Sequence, residues 1–314
     1  HMFGSHSLPI TQKGDAILVV GTYMMPEVFP MLSDIYSSDA YVIHFDLNGY
    51  EIAKNHRVDL GVISDPKMSL AALGKELERL RSAEQATKAQ QRSNFFATQK
   101  DEELATNKAS DLQYASSNPI HMGIFAEMLA KKVPDDVIIF DEALTNSPAL
   151  QRYLPPKRPY SYFTTRGGSL GVGIPGDLGA KMAHPDKTVI GFSGDGGSMY
   201  TIQALWSAAR HNVGAKFVIC NNGSYRLLQL NIDAYWGEQD IAKHAHPLCF
   251  DLSSPAIQFD ALARSMGIEA LTVKKPHEIE PAIERMLSDD KPFLLNLLLE
   301  GDVHPELIGV KCGQ

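Results

Sequence analysis

Short apolar runs alternate with helix-like patterns along the last two thirds of the chain, and turn residues separate them. A strand buried on both faces is a continuous apolar run, whereas a covering helix has apolar residues at intervals of three or four. This alternation is typical of a parallel sheet, so we predict an α/β fold with a doubly wound parallel sheet of about six strands. The strand candidates are 136–140, 160–164, 188–192, 216–220, 269–273 and 292–299.

The first part of the chain has a shorter pattern of the same kind. It contains strand candidates at Asp15–Gly21, Ala40–Leu47 and Arg57–Ile63, a helical stretch around 27–36, and an amphipathic helix at Pro66–Leu80. Three strands make a thin sheet for an independent domain. We therefore expect this segment to be a smaller, partial Rossmann-like α/β unit.

The composition changes between these two patterns. From Arg81 to Ser117 the chain is rich in Ala, Gln, Lys, Ser, Asn and Glu, with too little apolar surface for a core of its own. Residues 83–105 have good helix propensity, which predicts a helical linker on the surface. The next domain is predicted to open with a helix over 120–131 capped by Asn118. The expected division is a tail with a cloning scar at 1–13, a partial domain at 14–80, the linker at 81–117 and a second domain at 118–314.

Composition and charge exclude several classes of protein. The 314 residues carry a net charge of -8, which argues against nucleic acid or an anionic membrane surface as the main partner. No apolar run approaches the ~20 residues of a membrane span, and no charged-then-apolar leader is present, so a cytoplasmic location is the default. The three cysteines, Cys220, Cys249 and Cys312, are widely spaced and indicate neither a disulfide framework nor a zinc site.

Two motifs are weak indications of a dinucleotide or a metal ligand. Residues Gly171–Gly176 spell GxGxxG, yet they do not directly follow an apolar strand, as the glycines of a dinucleotide site must. We favour a helix that begins near Pro175. His244 and His246 have a spacing that metals sometimes use, but no third ligand is evident in the sequence, so a solvated loop is the favoured interpretation.

The segment Thr188–Tyr225 has the strongest functional pattern. It is predicted to form a strand, a Gly194–Gly197 turn, a helix capped by Ser198, a second strand and an Asn221–Gly223 turn. Both turns follow parallel strands, at the edge where open α/β sheets bind ligands. A carboxylate, an amide oxygen and a helix N-terminus together suit Mg²⁺ and a phosphate. The predicted buried face of the helix is Ile202, Leu205, Trp206 and Ala209.

The spacing of the two turns makes this pattern specific. Residues 197–220, 24 in number, separate Gly194-Asp195-Gly196 from Asn221-Asn222. With the stretches GGSLGVGIPGDLGAKMAHPDKTVIGFSGDGG and ALWSAARHNVGAKFVICNNGSY, the second domain resembles thiamine-diphosphate enzymes of the decarboxylase and acetolactate-synthase superfamily, in particular benzoylformate-decarboxylase-like members. The 14–80 segment resembles the latter half of that family's middle domain. The resemblance implies a thiamine-diphosphate-binding fold.

The resemblance also implies which residues bind the metal and the diphosphate. Mg²⁺ would be bound by Asp195, the side-chain oxygen of Asn222 and the backbone carbonyl of Ser224, and diphosphate oxygens and a water would complete the octahedron that this ion requires. The diphosphate itself would be held by amide groups and one hydroxyl. These belong to Gly196, Gly197 and Thr145.

Other implied contacts are to the thiamine. Leu170 would be the bulky apolar residue that props the cofactor in a bent conformation, and the Gly168 carbonyl would accept a hydrogen bond from its 4′-amino group. Tyr225 would also contact the cofactor. Two residues depart from the family's pattern. Leu144 replaces a hydroxyl residue, and Asp177 stands where an apolar residue is usual.

In this family the cofactor supplies the electron sink for reactions of 2-oxo acids, and the protein supplies geometry and proton transfers. The activating glutamate lies on a separate pyrimidine-binding domain, and no residue here matches it, because Glu142 is at the diphosphate end. We therefore expect no catalytic residue in this chain. It would be the anchoring part of a decarboxylase or carboligase, in a homo-oligomer, completed by that domain from another chain or a missing N-terminal region.

A second function stays open beside the first. The chain could be a non-catalytic fragment that binds Mg²⁺ and thiamine diphosphate, from a truncation or a degenerate gene. The intact anchoring residues argue against degeneracy, but they do not separate a split enzyme from a shortened one.

Overall fold

The computed structural model describes residues 8–22, 35–165, 169–242 and 244–300. Within them, one compact unit extends to Glu103 and a second begins at Leu104. Two sequence predictions lie outside the described residues: the Gly168 contact and most of the helical stretch at 27–36.

The first unit contains a parallel three-stranded sheet in the order β1-β2-β3. A short α1 (Leu8–Thr11) precedes it, and α2 (Pro66–Leu80) follows it with Asp65 as the N-cap, whose carboxylate accepts the Met68 N–H at 3.0 Å. The small core includes Val19 and Val42. The strands are β1 (Ala16–Val20), β2 (Tyr41–Asp46) and β3 (Leu60–Ile63).

The polar segment after α2 is a single long helix, α3 (Ala83–Leu112), as its helix propensity predicts. Asp111 is the one residue of α3 that is buried. The division between the two units falls inside this helix. The limits 14–80, 81–117 and 118–314 stay predictions. None of the described helices is long and apolar enough to cross a membrane.

The second unit contains a six-stranded sheet in the order β5-β4-β6-β7-β9-β8, and every pair is parallel. One face of the sheet is covered by α4 (Met122–Ala130), α5 (Ser147–Tyr153) and α11 (Ile279–Leu287). The opposite face is covered by α6 (Gly173–Ala183), α8 (Ala204–Arg210) and α10 (Phe259–Ser265). A separate hydrophobic core lies on each face. This confirms the doubly wound sheet. The strands are β4 (Ile138–Glu142), β5 (Tyr162–Thr164), β6 (Val189–Gly194), β7 (Lys216–Asn221), β8 (Glu269–Val273) and β9 (Phe293–Leu298); α7 (Asp195–Ser198) and α9 (Arg226–Glu238) follow β6 and β7.

The start of α4 differs from the prediction. The Ile120 N–H donates to the Leu298 carbonyl, and Ile120 forms a parallel bridge with Leu299, so this residue continues the sheet instead of the helix. The N-cap is His121, whose Nδ1 accepts the Gly123 N–H at 3.2 Å. Asn118 is therefore not the cap.

The predicted helix after Gly197 is interrupted. It consists of the four-residue α7, a turn over 199–203 and then α8. Ser198 lies inside α7, where its hydroxyl donates to the Asp195 carbonyl at 2.8 Å, and so it does not cap α8. The apolar stripe keeps its buried side across the break, since Ile202 in the turn and Ala208 in α8 are both buried. Leu205 is buried, but Trp206 is 53% exposed, with the Arg210 guanidinium over its ring.

Candidate cofactor site

The two turns at the carboxyl edge of the sheet lie side by side. Gly194, the last residue of β6, is paired with Cys220 near the end of β7, so the chain leaves both strands at the same level. The Gly223 N–H then donates to Asp195 Oδ2 at 2.7 Å, across 28 residues of sequence. The other oxygen, Oδ1, accepts the Gly196 N–H at 2.7 Å. The Asp195 carboxylate thus joins the two turns directly.

The charge of Asp195 has little compensation within the described residues. Burial raises the pKa of its carboxyl, while the amide groups of Gly196, Gly223, Asn222 and Ser224 act in the opposite direction. A buried carboxylate that is surrounded by amide donors but lacks an adjacent cation is a suitable metal ligand, because a divalent ion would supply the missing positive charge.

The second turn presents oxygen atoms of two other kinds. Asn222 Oδ1 accepts the Ser224 N–H at 3.0 Å, which fixes the orientation of the amide, and it also accepts the Ser224 hydroxyl at 3.3 Å. A hydroxyl can rotate to another acceptor, which would leave that second lone pair for a metal. The adjoining chain holds this turn: Leu252 N–H donates to the Gly223 carbonyl at 2.8 Å, and Ser224 forms a bridge with Asp251. The backbone therefore fixes both Asn222 and Ser224.

The glycines of the first turn are needed because side chains cover them. A Cβ at Gly196 would overlap the ring of Tyr225, and one at Gly197 would lie 2.8 Å from Glu142 Oε1. Both glycines are buried, and the backbone at such a turn could still approach a phosphate closely once the covering side chains move aside. The expected helix N-terminus is weaker than predicted, since α7 has four residues and therefore a short run of aligned peptide dipoles.

Thr145 lies on a single 3₁₀ turn, Leu144–Asn146, directly after β4, and it is buried. Leu144 has a φ of 51°, in the left-handed region that a leucine rarely adopts. Such a conformation costs on the order of 1–3 kcal/mol and must be held by its surroundings, which here include α9. The turn sets the Thr145 side chain at the same sheet edge as Asp195.

Leu170 is the other predicted thiamine contact in the described residues, and it is 38% exposed. Its loop is held by a residue that the sequence interpretation did not assign to the site. Glu142, the buried last residue of β4, accepts the Gly171 N–H at 2.6 Å and also the Gly173 N–H. Two consecutive acids directly after an apolar strand were the available sequence signal.

These elements match a known domain. Residues 145–297 match the family model described as the thiamine pyrophosphate enzyme C-terminal TPP binding domain. This region belongs to the thiamine pyrophosphate enzymes. The match includes Thr145, the Leu170 loop and both turns around Asp195, whereas Glu142 lies just before its first residue.

Relatives of the TPP-binding domain and of the whole chain are decarboxylases and acetolactate synthases. Benzoylformate decarboxylase of Pseudomonas aeruginosa is 34% identical over 179 residues, which are 57% of this chain and 32% of that protein. A chloroplastic acetolactate synthase of Zea mays is 25% identical over 300 residues, 93% of this chain and 44% of that protein. The chain thus spans less than half the length of these relatives.

A solved structure has the same fold. The thiamine diphosphate-dependent 4-hydroxybenzoylformate decarboxylase of Rhodococcus jostii RHA1 superposes with a TM-score of 0.70 at 22% identity. The alignment covers 94% of this chain and 50% of the decarboxylase. Because the alignment covers nearly the whole chain, it includes residues of both the three-stranded unit and the TPP-binding domain.

The donor set of this TPP-binding domain fits Mg²⁺ bound to a diphosphate. The described residues contain no cluster of three or more His, Cys, Asp or Glu side chains that could hold a metal. Asp195, the Asn222 amide and the Ser224 carbonyl supply one carboxylate and two neutral oxygens, all hard ligands. Mg²⁺ is usually bound by one or two carboxylates together with substrate phosphates and waters, so the remaining ligands would come from the cofactor.

The two weaker motifs have local partners in the structure. In GxGxxG, the Glu142 carboxylate binds the amide groups at the start of α6 that a dinucleotide phosphate would need. His246 Nε2 lies 2.9 Å from Asp233 Oδ1 and stacks on Trp236, and His244 meets the edge of the same ring. These contacts describe a packed aromatic cluster beside α9.

Proposed function

We propose that this chain anchors Mg²⁺ and thiamine diphosphate at the carboxyl edge of its six-stranded sheet. The observation that carries the proposal is the Gly223 N–H donating to Asp195 Oδ2 at 2.7 Å, because it brings a carboxylate and the Asn222 amide to one point. Asp195, Asn222 and the Ser224 carbonyl would bind Mg²⁺. The amide groups of Gly196 and Gly197 and the Thr145 hydroxyl would bind the diphosphate.

The proposed contacts to the thiamine come from the segment after β5 and from Tyr225. Leu170 would lie against the rings and impose the bent conformation, and the Gly168 carbonyl would accept from the 4′-amino group. Tyr225, whose ring covers Gly196, would close the diphosphate end. These residues would bind and orient the cofactor, and none of them would transfer a proton.

The whole protein would be a decarboxylase or carboligase acting on a 2-oxo acid, where the bound cofactor supplies an electron sink. Support comes from the names of the relatives and the matched TPP-binding domain. A pyrimidine-binding domain, from another chain or another part of the protein, would supply the activating glutamate. We expect the assembly to be a homo-oligomer with the cofactor at a subunit interface.

The test is a calorimetric titration of the purified chain with thiamine diphosphate. We expect binding when Mg²⁺ is present and no measurable binding when a chelator replaces it, because the buried Asp195 carboxylate and the diphosphate repel each other without a cation. Equal affinity in both conditions would contradict the metal assignment. Absence of binding in both would contradict the proposal as a whole.

A turnover assay separates anchoring from catalysis. The chain alone should bind the cofactor but should not decarboxylate pyruvate or benzoylformate, because no residue in the proposed site can activate the pyrimidine. Turnover on the order of 1 per second or faster would show that the activating group is present. Turnover that begins only after addition of a pyrimidine-binding domain would favour the enzyme over the non-catalytic fragment.

A further inference from the structure

We propose that Glu142 is a positioning residue of this site: its carboxylate fixes the Leu170–Gly173 loop and thereby sets Leu170 against the thiamine rings. The inference rests on the proposed function. It deepens that function by assigning the bent conformation of the cofactor to a specific pair of backbone hydrogen bonds. Glu142 itself would touch neither the metal nor the thiamine.

The Glu142 carboxylate binds the loop through both of its oxygens. Glu142 ends β4 and is buried, and its two oxygens accept the N–H groups of Gly171 and Gly173 from a loop about 30 residues later in the chain. Gly173 is the first residue of α6, where an N–H has no acceptor within the helix and a negative charge is favourable. Glu142 thus caps α6 from another element of the fold.

A second side chain fixes the same loop from the opposite direction. The Thr201 hydroxyl donates to the Gly171 carbonyl at 2.6 Å, while Glu142 accepts the Gly171 N–H, so both sides of this residue are held. Gly171 has a φ of 80°, and a Cβ there would lie 2.5 Å from the Tyr200 Cβ. The loop therefore has one well-defined conformation at the residue next to Leu170.

The position of Leu170 follows from these restraints. Its side chain is 38% exposed, and the restrained backbone of the adjoining Gly171 limits where Leu170 can lie. The same Glu142 carboxylate also lies over Gly197, in the turn that would hold the diphosphate. The carboxylate therefore binds the Leu170 loop and lies close to the turn that would hold the diphosphate.

The test compares two ligands in the full chain. Thiamine diphosphate reaches Leu170, whereas inorganic pyrophosphate occupies the diphosphate subsite alone, and both are titrated in the presence of Mg²⁺. In Glu142→Gln, the amide nitrogen cannot accept an N–H, so one loop contact is lost while the shape is kept. We expect the affinity for thiamine diphosphate to fall by about tenfold with that for pyrophosphate unchanged.

A second variant removes the other restraint. Thr201→Val keeps the shape and deletes the donor to Gly171, so it should lower the same affinity ratio even if Glu142→Gln folds poorly. Asp177→Asn, a buried carboxylate on α6 without contact to the loop, is the matched control and should leave the ratio unchanged.

The outcomes are distinct. An equal loss for both ligands, or an unchanged ratio in both variants, would overturn the inference and make Glu142 a general stabiliser of the sheet edge. If the unmodified chain binds pyrophosphate but not thiamine diphosphate, Leu170 makes no contact and the inference fails while the Mg²⁺–diphosphate site stands. If it binds neither ligand, the proposed function fails first, and the inference with it.

Discussion

Two buried carboxylates lie on either side of β6 and differ in almost everything except burial. Asp195 follows the strand at the carboxyl edge of the sheet, and each of its oxygens accepts a backbone N–H. Asp177 lies in α6 beneath the strand, is fully buried, and neither of its oxygens has a hydrogen-bond partner of good geometry among the described residues.

The difference shows that a raised pKa does not identify a functional site by itself. Burial raises the pKa of both carboxyls. At Asp177 the opposing influences are the Gly191 amide and the charges of Lys181 and Lys216, yet both ammonium groups are bound by backbone carbonyls elsewhere. Asp195 has aligned donors and neighbouring oxygens that a metal could share. Asp177 has neither.

The sharpest test of this contrast is Asp195→Asn. Replacing a charged ligand by an amide removes the attraction for the metal and places an NH₂ against a backbone N–H. We expect the affinity for Mg²⁺–thiamine diphosphate to fall by more than about hundredfold, beyond the range typical of residues that only orient a ligand. Calorimetry on both variants checks this, since Asp177→Asn should bind normally. Similar losses in the two variants would remove the distinction.

That the two turns meet was predictable from the sequence, because it depends on where the strands end. Apolar runs indicate parallel strands, and turns after neighbouring strands must meet at one edge, which is why Asp195 and Asn222 could be paired from their spacing alone. The sheet itself was predicted correctly for the same reason: each run is mainly apolar, as in the buried strand before Asp195.

The contacts of Glu142 and the break before α8 could not be predicted. Hydrophobic periodicity reports which residues are buried, but not which amide group a buried acid will meet across a loop. The Gly171 and Gly173 contacts depend on the conformation of that loop. Trp206 lies at the edge of the apolar stripe, next to the buried Leu205, and periodicity alone does not reveal that its side chain is 53% exposed.

The Asp177 carboxyl should make the free energy of unfolding depend on pH. The folded-state pKa of Asp177 lies above that of the unfolded chain, near 3.9, so its protonated form is favoured by folding and its contribution declines as the pH rises toward the folded value. Asp177→Asn should therefore stabilise the protein by about 1–3 kcal/mol at pH 8 and by less at pH 5. Unfolding in urea at both pH values measures this.

The opposite result would also be informative. If Asp177→Asn destabilises the protein at pH 8, then the carboxylate is ionised and the attraction of Lys181 and Lys216 exceeds the cost of burial. Asp177 would then resemble Asp195 in being stabilised as an anion, and the contrast between the two sides of β6 would be wrong.

The smallest expected change in stability comes from a substitution in α6 that leaves the Asp177 carboxyl unchanged. Gly179 lies two residues after Asp177 in α6, and a Cβ there would meet nothing within 4 Å. Gly179→Ala should stabilise the protein by about 0.5–1 kcal/mol, because alanine loses less backbone entropy in a helix. Helix propensity involves no proton, so the gain should be the same at pH 5 and pH 8. A pH-dependent gain in Gly179→Ala would mean that α6 as a whole, and not the Asp177 carboxyl, responds to pH.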